Sequence, residues 1–210
     1  MAEWIDISQP LNNQLAHWPG DQSFHYHTPL TKDMTGSVNI GRITTSTHVG
    51  THVDAPFHFL ENGKRILDLE IDRYIGPCTL IDLSAFDEIN QRALESKNID
   101  VAERLLIRTS LPNRPERFPK DVSPITPDGA AYMKSLGVQL VGVDTPSMDP
   151  ITSKELAGHH ALYQHDIYIL ENVMLDHVAE GDYELIALPL PLEEADGSLV
   201  RAVIKPIKGS

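Results

Sequence analysis

The sequence has a single cysteine in 210 residues, Cys78, so no intrachain disulfide can form and no cysteine-based zinc site can be assembled. That scarcity fits a reducing, cytoplasmic setting. Basic residues are also few: 17 Lys and Arg stand against 30 Asp and Glu, a formal net charge of −13. A chain this acidic is repelled by phosphate backbones and anionic lipid, which sets nucleic-acid and membrane-surface binding aside. The opening Met-Ala-Glu-Trp-Ile-Asp lacks the basic and apolar stretches of a signal peptide, and no run approaches the ~18 apolar residues of a membrane span. The expectation is a soluble protein. Repeats, low-complexity tracts and charge blocks are missing too, so the chain reads as one domain over 1–210.

What is present builds a core. Hydrophobic residues make up 41% of the chain, enough to pack a domain without staples. Short β-branched runs bounded by Gly or Pro predict strands at Ile40 to Thr47, Cys78 to Leu83, Leu105 to Thr109, Val138 to Asp144, Ile167 to Leu170, Leu185 to Leu190 and Leu199 to Ile204. Helices are expected near Phe86 to Lys97 and from Thr126, a natural N-cap with Pro127 in the first turn and Gly137 to end it. The class is α/β, rich in strand. Leu111 to Pro124 holds four prolines and reads as a long surface loop, either an insertion or part of a lid.

Chemistry concentrates in the histidines. His48, His52 and His58 fall within eleven positions, with Asp54 among them. Their even numbering puts them on one face of an extended chain, while Gly50, Pro56 and the β-branched Val49, Thr51 and Val53 oppose a helix. A straight strand would hold His48 and Asp54 roughly 20 Å apart, so the segment must bend if they share an ion, and Gly50 and Pro56 are the easiest places to bend. Imidazoles and a carboxylate suit zinc or a neighbouring divalent ion such as manganese. A second group is Gly158-His159-His160, followed by Glu171 at the end of an apolar run. A buried Glu is costly unless paired or bound to a cation, but an exposed strand end would solvate it and adjacent histidines often mark only a polar loop. His17, His25, His27, His165 and His177 have no partner spacing and are expected in loops or on the surface. Asp144 and Asp149 are expected to cap or brace a turn.

The string His48-Val-Gly-Thr-His52-Val-Asp54-Ala-Pro-Phe-His58 resembles the His-x-Gly-Thr-His-x-Asp-Ala-Pro-x-His signature of the metal-dependent cyclase family. The resemblance runs on through Asp6 to Ser8, the Trp18-Pro-Gly-Asp turn, the Gly142 to Pro150 turn and the late His-to-Glu spacing. It implies a compact swivelling β/β/α fold around a barrel-like mixed sheet, usually as a homodimer. It also implies hydrolysis of N-formylkynurenine to kynurenine and formate, with two divalent ions per chain, zinc above manganese. By the same resemblance His48, His52 and Asp54 hold one ion, Asp54 and Glu171 bridge to a second, and His159 binds that second ion. The family ligand stands twelve residues before the glutamate, which selects His159 over His160. His58 becomes the acid/base, and Trp18 lines the substrate pocket, where its indole can pack on an aryl ring. An alternative within the family opens the cyclic amide isatin; it carries a neutral amide at the position of Glu171 and holds one manganese. A non-catalytic metal or ligand binder on the same fold is the reading from another class, and His58 weighs against it. No Gly-x-Ser-x-Gly elbow supports a serine hydrolase.

Overall fold

A computed structural model describes residues 3–207. Its centre is four parallel strands, β5 (Ile75–Asp82), β6 (Arg104–Arg108), β7 (Leu140–Val143) and β8 (Tyr168–Glu171). They read as continuous apolar runs because both faces of the sheet are covered. Alternation along β6 and β8 divides the core: Leu106 and Leu170 face one apolar cluster, while Leu105, Ile107 and Ile169 face another. The second cluster is covered by α2 (Gln91–Glu95), α3 (Pro127–Ser135) and α4 (Ala157–Gln164), which bury Ala93, Leu94, Ala130, Met133, Ala161 and Leu162 against it.

Antiparallel strands extend the sheet at both ends. On one side β9 (Gly181–Ile186), β11 (Val203–Pro206) and β1 (Ile5–Asp6) follow β5; on the other, β4 (His52–Asp54) and β10 (Gly197–Leu199) follow β8. The order is β1-β11-β9-β5-β6-β7-β8-β4-β10. Residues 200–202 join its two ends: Val200 N–H donates to Thr51 O, and Ile7 N–H donates to Ala202 O. So short a link requires the nine-stranded sheet to curl strongly, giving a mixed α/β half-barrel. The curl also corrects the sequence reading, because the run expected at Leu199 to Ile204 is divided between β10 and β11 as the chain crosses from one sheet end to the other.

The helix from Thr126 forms as expected, with the Thr126 side chain accepting from Gly129 N–H. The expected helix at Phe86 to Lys97 contracts to Gln91–Glu95, capped by Asn90, whose side chain accepts from Ala93 N–H. Outside the main sheet, β2 (His25–Leu30) and β3 (Ile40–Thr44) pair as a hairpin with α1 (Lys32–Thr35) at its tip. No residue from His25 to Thr44 is buried. Among the described residues, no helix is long and apolar enough to cross a membrane.

Candidate active site

Three elements converge on one buried cluster. β4 carries His52 and Asp54 on the same face, and its antiparallel register with β8 sets His52 directly opposite Glu171. α4 precedes β8 and delivers His159. His48 stands before β4, turned back by Gly50, whose φ of 70° is a left-handed value that side-chain-bearing residues rarely adopt. The required bend is therefore at Gly50, and it places His48 Nδ1 3.0 Å from Asp54 Oδ1. Beyond β4, Pro56 opens a short 3-10 turn, Pro56–His58, which returns the His58 ring to within 3.9 Å of the His48 ring centroid.

The two carboxylates divide their oxygens between two poles. His52 Nε2 lies 3.4 Å from both Asp54 Oδ1 and Glu171 Oε2. His159 Nε2 lies 3.5 Å from Asp54 Oδ2 and 3.6 Å from Glu171 Oε1. Two imidazoles have their other nitrogen held from behind, His52 Nδ1 by Gly50 O at 2.8 Å and His159 Nδ1 by Asp149 Oδ2 at 2.6 Å, while His48 Nε2 lies 3.1 Å from Asp196 Oδ2 without hydrogen-bond geometry. Outer partners of this kind fix ring orientation and tautomer in metal-binding histidines.

The electrostatics are severe for a site without a cation. Burial opposes ionisation of Asp54, yet His48, His159 and His52 hold its carboxyl well below the usual range. Glu171 is pushed up, by burial first and by Asp54 second. Burial opposes charge on His48 and His159 as well, but Asp54 and Asp196 raise the first to about 10, and Asp149, Asp54 and Glu171 raise the second to about 10. His52 Nε2, Asp54 Oδ2 and Glu171 Oε1 are buried with no hydrogen-bond partner. Orphaned lone pairs facing one another are costly unless a cation joins them. His52, Asp54 and Glu171 bring candidate ligand atoms within 4.8 Å of one another, and so do His48, Asp54 and His58. The donor set fits a divalent metal.

The cluster floors a cavity of about 720 Å³. Trp18 and Phe118 meet edge to face on its wall, ring centroids 5.3 Å apart. The loop from Leu111 to Asp121 forms much of the remaining wall. That loop is anchored at several points: Asp144 accepts from Thr109 N–H and Oγ1–H, Asn113 Oδ1 accepts from Leu175 N–H, and Pro115 O accepts from Ala16 N–H. Burial, opposed by those Thr109 bonds, raises the Asp144 carboxyl to about 7.

His48, His52, Asp54, His159 and Glu171 thus meet in one place, His58 stands beside them, and Trp18 faces the cavity. His160 lies away from the carboxylates, its ring 5.5 Å from Phe59. One expectation needs correcting: Gly158-His159-His160 is no polar loop but the first turn of α4. His17 lies in a loop, as expected, and lines the cavity. Asp149 does more than brace a turn, since its carboxylate accepts from Gly158 N–H, His159 N–H and the His159 ring. Sequence reasoning missed Asp196 and Asn172. Asp196 accepts from Thr47 Oγ1–H and reaches His48 because β10 pairs with β4, Gly197 opposite Asp54. Asn172 donates to Gly50 O and so supports the carbonyl that holds His52. An Asp-Gly pair before a short strand was the one available signal for Asp196.

A strongly curled mixed sheet with a His/Asp/Glu centre at one end defines a class, and the chain belongs to it: a model of the putative cyclase family matches residues 5–150. Among individual relatives, the kynurenine formamidase of Bacillus cereus is 55% identical over 206 residues, covering 98% of this chain and 99% of that one. Two solved structures share the fold. A protein described as a "predicted metal-dependent hydrolase from Bacillus stearothermophilus" superposes with a TM-score of 0.83 at 23% identity, covering 99% of this chain and 100% of that one. Isatin hydrolase A from Ralstonia solanacearum gives 0.82 at 20% identity, covering 98% and 92%.

Proposed function

We infer that the protein is an arylformamidase that hydrolyses N-formylkynurenine to kynurenine and formate. The observation that carries this reading is near-full-length likeness, at 55% identity, to a kynurenine formamidase. The cavity agrees in kind, with an aromatic wall at Trp18 and Phe118 for an aryl ring and the His/carboxylate cluster at its floor.

The buried cluster favours two divalent ions, zinc before manganese: His48, His52 and Asp54 would hold one, His159 the other, and Asp54 and Glu171 would serve both. The division of the carboxylate oxygens between His52 and His159 is what supports the count, since these donors exceed the needs of one tetrahedral ion. Bound divalent ions supply Lewis acidity, polarising a carbonyl and bringing the pKa of water to about 7. The remaining chemistry belongs to the chain. Trp18 packs against the aryl ring and presents the formamide to the floor. His58, exposed to the cavity with Nδ1 3.8 Å from Asp196 Oδ2, is free to take a proton from the attacking water and return it to the departing arylamine nitrogen. The leaving group then departs as a neutral amine, which formamide cleavage requires.

The single unit 1–210 would carry the whole activity. Homodimerisation is supported by the hairpin of β2 and β3, whose Tyr26, Ile40 and Ile43 are about half exposed; an isolated hairpin is marginal in water until something packs on it. A reducing, cytoplasmic setting is supported by the lone, buried Cys78 thiol.

Kinetics on N-formylkynurenine, isatin and formanilide, side by side with metal-reconstituted protein, test the reading. Preference for N-formylkynurenine supports it. Turnover of isatin alone would favour the cyclic-amide alternative, and turnover of none would leave a metal binder.

A further inference from the structure

The proposed reaction leaves the cavity mouth unexplained. Arg114, Arg117 and Lys120 all line it, within seven residues of one loop, and all three are exposed. Among the described residues none of them makes an ion pair or a side-chain hydrogen bond. Some cations of this acidic chain are paired, Arg65 with Glu194, Arg73 with Glu70 and Asp166, Arg108 with Asp82, while others such as Arg42 and Arg92 are not; what sets these three apart is their place in the cavity lining. Three uncommitted cations at one cavity edge, interspersed with Asp21, Asp121 and the exposed Glu116, place anion-binding groups beside carboxylates in a chain of net charge −13.

Loop geometry keeps these side chains at the rim. Asn113 ties the loop base to residues 173–176, and Pro115 O accepts from Ala16 N–H at 2.8 Å, which docks the loop against the segment bearing Trp18. A turn closed by Arg117 N–H donating to Arg114 O keeps the two guanidinium-bearing residues close in the chain. Phe118 then turns inward to Trp18 while its neighbours Arg117 and Lys120 stay outward. One loop therefore offers an aromatic surface facing in and cations at the edge, the order in which an aryl group bearing an anionic tail would meet it.

We propose that Arg114, Arg117 and Lys120 are specificity-determining residues that bind the carboxylate of an amino-acid tail on the aryl formamide. Guanidinium groups match a carboxylate with paired N–H donors, and Lys120 adds a point charge. Asp21 and Asp121 line the same mouth and complement the α-ammonium of such a tail. The proposal rests on the arylformamidase reading and adds which part of the substrate the loop selects.

The test compares N-formylkynurenine with formanilide, which has the formamide and the ring but no tail. Metal-loaded wild type and a triple Arg114→Gln, Arg117→Gln, Lys120→Gln variant are assayed on both. The expected result is a rise in KM for N-formylkynurenine of about tenfold or more, with formanilide kinetics changed by less than about twofold. Wild type needs no mutation for a second measurement: added salt should raise KM for N-formylkynurenine and leave formanilide unaffected. Equal losses on both substrates, or no selective rise in KM, overturn the proposal. Failure of the underlying reading looks different, because wild type would then release arylamine from neither substrate.

Discussion

Asp149→Asn isolates the brace behind His159. The wild-type carboxylate accepts three hydrogen bonds, from Gly158 N–H at 2.7 Å, His159 N–H at 3.0 Å and His159 Nδ1 at 2.6 Å. An amide has one acceptor oxygen. If that oxygen stays on Gly158, the amide NH2 leaves His159 N–H without its acceptor and donates to His159 Nδ1, which moves the imidazole proton to Nε2, the atom facing Asp54 and Glu171. If the oxygen serves His159 instead, Gly158 N–H and the amide NH2 meet as two donors in a buried space. Without metal the first arrangement leaves fewer donors unsatisfied, and reaching the second costs about 1–3 kcal/mol per orphaned group. Converted to an equilibrium constant, that lowers metal affinity at the His159 pole roughly 10- to 100-fold, the usual size of an outer-partner effect. Titration of metal-free protein against a chromophoric chelator reads it directly. Wild-type affinity in Asp149→Asn, with His159 still required for binding, would refute the tautomer argument.

Three further outcomes follow from the same site. His58→Ala should cost roughly 10²- to 10⁴-fold in kcat with metal content unchanged by elemental analysis; metal lost in proportion to activity would make His58 a ligand. Glu171→Gln removes charge that offsets two dications and should lower metal occupancy, so tight binding of two ions by this variant would end the bridging assignment. In chelated protein, His48 and His159 are raised to about 10 from an ordinary value near 6.5, so the folded state holds those protons more tightly than the unfolded one. Their stabilisation is complete below about pH 6.5 and is lost as pH rises through about 10, which a falling melting temperature between these limits would show and a flat one would refute.

How far the sequence carried this picture depends on the range of each interaction. His52 and Asp54 were legible because alternation along a strand is local, and Gly50 announced the turn that returns His48. The central strands were legible as apolar runs. α4 was not, because its first turn is capped from outside: Leu156 at its start adopts φ 47° with no side-chain cap, and the acceptor for Gly158 and His159 is Asp149, nine and ten residues away. Gly158 is needed there, since a Cβ would meet Met148 O at 2.7 Å and Ile125 O at 2.8 Å, yet in the sequence it reads as a breaker. Asp196 and Asn172 reach the site only through sheet pairing, which no periodicity reports.

The His/carboxylate cluster is expected to carry metal-dependent cleavage of an aryl formamide. Kynurenine release from N-formylkynurenine, followed for native, chelator-stripped and zinc- or manganese-restored protein, tests it most directly. Turnover should be lost on stripping and regained on restoration. Undiminished turnover in protein shown by elemental analysis to be metal-free, or none in the fully loaded protein, would contradict it.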